Sequence, residues 1–171
     1  MKKMLMICLA GLAAAALAAE TAVELKLNDN IQVWAPKSYY LTPPTVTIED
    51  GVAKIVCGEL VEGAKPTRYQ VHVVSHQTFK AGVNYTFSFT IKSNIAVAKE
   101  VDMHANFALS KQPYTIFARL RIILPAQEWK TFSFSYTPTE DINEKTSTPS
   151  FQLPLQKGQT LEICDVRISE K

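Results

Sequence analysis

Glycine is scarce in this chain: six residues, each standing alone. A loop that cradles phosphate needs several glycines close together so that backbone amides can converge on an anion, and their absence argues against nucleotide cofactors. No Gly-x-Ser-x-Gly elbow is present and neither Cys57 nor Cys164 has a histidine placed to activate it, which leaves acyl transfer unsupported. The His-Glu-x-x-His pattern is missing too. His72 and His76 stand four apart, a spacing that converges on a helix but not on the strand end where these two fall, so zinc is not indicated. Helical periodicity and internal repeats are lacking, and no run of about 20 apolar residues could span a membrane.

The one long apolar run is at the start. Lys2 and Lys3 precede Met4 to Leu17, and Ala16-Leu17-Ala18 supplies small residues for cleavage, a pattern that predicts a secretory leader over residues 1–19. Export to the periplasm, the cell surface or the medium is the expectation, without stable membrane insertion. Residues 20–171 fit one domain with a substantial core. Loss of Lys2 and Lys3 with the leader leaves 16 basic against 16 acidic side chains. Nucleic-acid binding draws affinity from a basic excess, so nucleic acid is not an expected partner.

After the leader, β-branched and aromatic runs alternate with Pro, Gly, Asn and Asp breaks, which predicts ten strands and an all-β, two-sheet antiparallel sandwich. The strands are expected at 22–27, 45–48, 52–58, 69–75, 83–93, 101–109, 115–124, 129–137, 150–155 and 160–169. Alternation is cleanest in Val83, Tyr85, Phe87, Phe89 and Ile91, whose intervening residues are polar. Residues 137–149 read as an exposed connection. Cys57 and Cys164 lie in alternating segments, and an even pair in an oxidising compartment predicts a core-facing disulfide, with two unpaired buried thiols as the other reading.

From about Gly51 onward the chain resembles the CenC-like carbohydrate-binding modules of families 4 and 9, which are galactose-binding-like jelly rolls. The resemblance rests on Tyr69-Gln70-Val71-His72-Val73, on Gly82-Val83-Asn84-Tyr85 within its strand, on Glu128-Trp129-Lys130-Thr131-Phe132, and on the closing Leu161-Glu162-Ile163-Cys164-Asp165-Val166. It implies a jelly-roll sandwich that holds a polysaccharide or glycan on one sheet without cleaving it, alone or beside a partner glycosidase or surface protein. The family's closing pair of acids, which often helps to hold a structural calcium, is reduced here to Cys164-Asp165. That leaves Asp165 as one oxygen donor for Ca2+, with no other cofactor required.

Strand parity then nominates the glycan contacts. Gln70 and His72 alternate with Tyr69, Val71 and Val73; Asn106 alternates with Ala105 and Phe107; Gln152 lies between Phe151 and Leu153. All four are expected on an open sheet face. Trp34 and Tyr114, in loop-like sequence, serve either as stacking platforms or as loop packing, while Tyr85 and Trp129 are expected in the core. Two other functions remain open. One is a structural or adhesion module that binds another protein at the cell surface. The other is a small glycoside hydrolase, for which two of Glu49, Asp50, Glu59, Glu62, Glu100 and Asp102 would have to converge.

Overall fold

The computed structural model describes residues 21–24, 30–34, 37–62, 68–98, 103–109, 114–143, 146–154 and 158–171. The leader predicted at residues 1–19 lies outside them. Among these residues eleven strands are present: β1 (Thr21–Glu24), β2 (Ile31–Trp34), β3 (Thr45–Glu49), β4 (Val52–Val56), β5 (Arg68–Ser75), β6 (Tyr85–Ser93), β7 (His104–Leu109), β8 (Ile116–Arg121), β9 (Lys130–Tyr136), β10 (Thr146–Pro154) and β11 (Thr160–Glu170). All named pairings are antiparallel. One sheet has six strands in the order β3-β4-β11-β6-β9, with β1 added to β11, and the other five, β2-β5-β10-β7-β8. The fold is the expected two-sheet sandwich. Among the described residues no helix is long and apolar enough to cross a membrane.

The strands form because their apolar residues recur every second position, so that one pleated face can be buried. Along β6, Tyr85, Phe87, Phe89, Ile91 and Ser93 are buried and the residues between them half-buried. Phe87 meets Phe107 of the opposite sheet with ring centroids 4.7 Å apart, and Phe107 touches Tyr136 at 5.3 Å. Burying a ring of this size stabilises by about 1.5–3 kcal/mol relative to leaving it in water. Tyr85 is fully buried and accepts a hydrogen bond from the Lys80 backbone N–H at 2.7 Å, which satisfies its polar tip. After β4 the chain passes so close to Thr42 that a Cβ on Gly58 would collide with the Thr42 carbonyl oxygen.

Several expectations are corrected. Residues 31–34 form edge strand β2, not a loop, because Gln32 and Trp34 find rungs beside His72 and Gln70. Pro149 does not begin a strand boundary: β10 runs through it from Thr146, with a register shift between Ser147 and Ser150. A bulge is where a central strand tolerates a residue that cannot donate to the ladder. The segment expected to be an exposed connection contributes buried Pro138 and Ile142, the latter exchanging backbone bonds with Phe79 at 2.8 and 2.9 Å. Trp129 is not in the core but 44% exposed, on the outer face of the six-stranded sheet beside Lys92.

The predicted Cys57–Cys164 disulfide is also overturned, since both thiols are free. The Cys57 N–H donates to the Gln159 carbonyl, which places Cys164 five residues further along β11, roughly 17 Å at strand rise. A disulfide needs Cα atoms within about 7 Å. Facing differs as well. Asp165, at φ 52°, is the extra residue of a bulge in β11 between Cys164 and Arg167, so Ile163 and Val166 both enter the core and Cys164 does not share the face of Val166. Burial raises the pKa of both thiols above the ordinary value.

Candidate functional site

The five-stranded sheet carries the polar positions nominated from sequence, and its register gathers them. One rung of the face turned away from the core runs Gln32, His72, Ser150, Asn106, Arg119 across β2, β5, β10, β7 and β8. The next rung on the same face runs Trp34, Gln70, Gln152, His104, Arg121. Between them, Val71 and Ala105 occupy the core-facing rung and are fully buried. Two residues of strand separate the polar rungs by about 6.5–7 Å, and five strands span about 19 Å, the footprint of a short extended oligomer. Five of the six nominated residues therefore share one patch. The side chains of Trp34, Gln70 and Gln152 lie outside the described set, and only their register positions enter here.

Asn106 departs from the expected solvated position. It is 0% exposed, and its Oδ1 accepts a hydrogen bond from Arg119 Nε at 3.0 Å. A guanidinium has donors only, so this bond orients the amide with Nδ2 turned away from Arg119, and among the described residues that buried Nδ2 has no hydrogen-bond partner. Leaving such a donor unmatched costs about 1–3 kcal/mol. His104, on the neighbouring rung, is 9% exposed, and His72 is half-buried, with burial lowering its imidazole pKa below the ordinary value. Arg119 and Arg121 are exposed. Asn106 and His104 are thus screened from solvent, while Arg119 and Arg121 at the β8 margin are open to it.

Tyr114, the sixth nominated residue, lies in the connection from β7 to β8, where the Leu109 N–H bonds the Thr115 carbonyl at 2.9 Å. Its ring is 59% exposed, and its backbone holds φ 53°, a left-handed conformation that bulky side chains rarely adopt. It stands beyond the end of the β8 margin, apart from the two rungs. Sequence reasoning passed over Arg119 and Arg121. Their signal was available: two arginines two apart in a strand must share a face.

The outer face of the six-stranded sheet holds the remaining candidates. A shallow depression of roughly 200 Å³ is lined by Ser88, Thr90, Thr131, Asp165 and Arg167. Asp165 Oδ1 lies 3.8 Å from Arg167 Nη2. Among the described residues no group of three His, Cys, Asp or Glu side chains is placed to hold a metal ion, and Asp165 belongs to no such group. Glu49, Asp50, Glu59 and Glu62 are exposed on the β3–β4 hairpin and the loop after β4. Glu100 and Asp102 lie outside the described residues. His76 is exposed just past the end of β5.

The described strands form an antiparallel β-sandwich with polar positions grouped on the outer face of one sheet. The chain belongs to the CBM_4_9 family, carbohydrate binding domain, whose model matches residues 25–158. No protein of curated function matches it. Among solved structures it is similar to one described as "CBM4 structure and function", at 22% identity and TM-score 0.63, over 88% of this chain and 95% of that one. It is also similar to the N-terminal cellulose-binding domain of β-1,4-glucanase C from Cellulomonas fimi, at 15% identity and TM-score 0.57, over 84% and 90% of the two chains. Both likenesses bear on the fold.

Proposed function

We propose that this protein binds a poly- or oligosaccharide on the outer face of its five-stranded sheet, does not cleave it, and works outside the cytoplasm, in the periplasm, at the cell surface or in the medium. The observation that carries the site assignment is the buried, unmatched Nδ2 of Asn106, held in orientation by Arg119. A sugar hydroxyl is a compact acceptor that can complete such a donor, and the same hydroxyl can donate onward to a neighbouring amide. Family membership supplies the ligand class, and the leader-like residues 1–19 support export. The strands of this sheet contain no Asp or Glu, which favours holding a chain over hydrolysing it, since hydrolysis of a glycosidic bond generally calls on two carboxyls.

The test is a glycan array followed by titration of the best ligand, with and without calcium, using Asn106→Ala as the site variant. Affinity is expected to fall about tenfold or more, the equivalent of one hydrogen bond to a well-positioned group. Stability should shift by no more than about 1 kcal/mol, because the lost Arg119 bond and the relieved Nδ2 offset each other. Unchanged affinity in a folded variant would remove the site assignment. A second reading, contact with a glycosidase or another surface protein, is favoured by one observation: Trp129 and Ile123 are exposed at 44% and 39%.

A further inference from the structure

Of the 18 lysines and arginines in the chain, only Arg68, Arg119, Arg121 and Arg167 are arginines. The first three lie in the five-stranded sheet, and no lysine does. The same strands hold no Asp or Glu, whereas the six-stranded sheet carries Glu24, Glu49, Glu162, Asp165 and Glu170 among its bases. Charge that serves solubility alone has no reason to sort arginine from lysine in this way. Arginine differs from lysine in its planar fork of donors, which meets an oxyanion with two parallel bonds.

The geometry of the β8 margin suits that use. Arg119 spends its Nε on Asn106 Oδ1, which orients the guanidinium and leaves its two terminal nitrogens for another acceptor. Arg121 follows two residues later on the same face, on the rung of His104. Both are exposed, and among the described residues neither has an ion pair. Arg68 has its register position opposite Pro154 at the start of β5. A neutral glycan has no group that calls for two adjacent, uncompensated guanidinium groups beside a buried amide. A chain bearing oxyanions does.

We propose that the ligand of this face is an anionic glycan, carrying carboxylate or sulfate groups that Arg119 and Arg121 engage; this rests on the reading that the face binds carbohydrate. The two sources of the oxyanion share the chemistry and are separated by the experiment. Protein expressed from the full-length chain is titrated with polygalacturonate, with its methyl-esterified counterpart, with a sulfated glucan and with the parent neutral glucan, at low and at moderate salt. At least one anionic glycan is expected to bind about tenfold or more tightly than its neutral counterpart, the scale of one charge-assisted pair, and to weaken as salt rises. Which anionic arm wins names the group.

Arg119→Gln and Arg121→Gln should each weaken the anionic glycan by about tenfold and by more than they weaken its neutral counterpart, so that most of the preference is lost. Arg121→Gln keeps the test sound if loss of the Asn106 bond disturbs folding. Lys54→Gln, on the other sheet, removes the same charge and is expected to change nothing. Equal or tighter binding of the neutral glycans overturns the proposal and leaves the carbohydrate reading standing. A loss with Lys54→Gln equal to that with the arginine variants also overturns it, since the attraction is then a property of net charge. Failure of all four glycans to bind overturns the carbohydrate reading of this face and the proposal with it.

Discussion

On the outer face of the six-stranded sheet, polar side chains bond to one another. The Thr86 and Ser135 hydroxyls are 2.9 Å apart, as are those of Thr90 and Thr131, and Lys92 pairs with Glu162 at 3.0 Å while lying 4.7 Å from the Trp129 ring. On the outer face of the five-stranded sheet, a buried amide donor is unmatched and two arginines stand without acids among the described residues. Both faces are built from antiparallel strands. What differs is where each face finds its partners: one closes its polar groups upon itself, and the other leaves them for a ligand. A face that satisfies itself contributes to stability, and a face that does not is the better candidate for recognition.

That contrast should vanish on the inner faces, where both sheets share one core. Phe87→Ala, from the six-stranded sheet, and Phe107→Ala, from the five-stranded sheet, are each expected to cost about 3–5 kcal/mol in denaturant unfolding, the usual range for emptying a buried ring site. A large disparity between them would mean that one sheet holds together without the other.

A smaller effect separates the outer faces by pH, since the described histidines in strands, His72 and His104, both belong to the five-stranded sheet. Burial lowers the His72 pKa, so the folded state favours the neutral ring more than the unfolded chain does. The unfolded state then binds more protons as pH falls through the ordinary histidine range near 6.5, and stability that is complete above that range is lost below it. The melting temperature should drop between pH 7.5 and pH 5.5, and His72→Gln should flatten that drop. If the variant and the parent decline in parallel, the linkage does not reside at His72.

The smallest expected effect concerns the thiols. Cys57→Ser with Cys164→Ser should leave mobility under non-reducing conditions unchanged, and both cysteines of residues 20–171 should react with a thiol reagent once the chain is unfolded. A bridge appearing on oxidation would contradict the register of β4 on β11.

Much of this was legible beforehand. The alternation along β6 is a local pattern, and it predicted the inner face residue by residue. Parity alone placed Gln70, His72, Asn106 and Gln152 on the face away from the core, and the register agrees. The errors arose where the period of two is interrupted. Asp165 adds a residue to β11 and reverses the facing of Cys164 relative to Val166. Pro149 reads as a strand breaker until a bulge admits it to the middle of β10. Trp129, just before β9, looks like core by size, but it lies on the outer surface with Lys92 Nζ over its ring.

Side-chain alternation and turn chemistry are properties of neighbours in the chain, so the sequence by itself determined a two-sheet antiparallel sandwich, its inner faces and the polar positions of its outer ones. Which strands stand side by side depends on packing the whole chain into one core. Only that packing set β10 between β5 and β7, brought Asn106 against Arg119, and left an amide donor buried and waiting. The physical reason is that burial and hydrogen-bond satisfaction are decided by residues distant in sequence, and no local pattern records them.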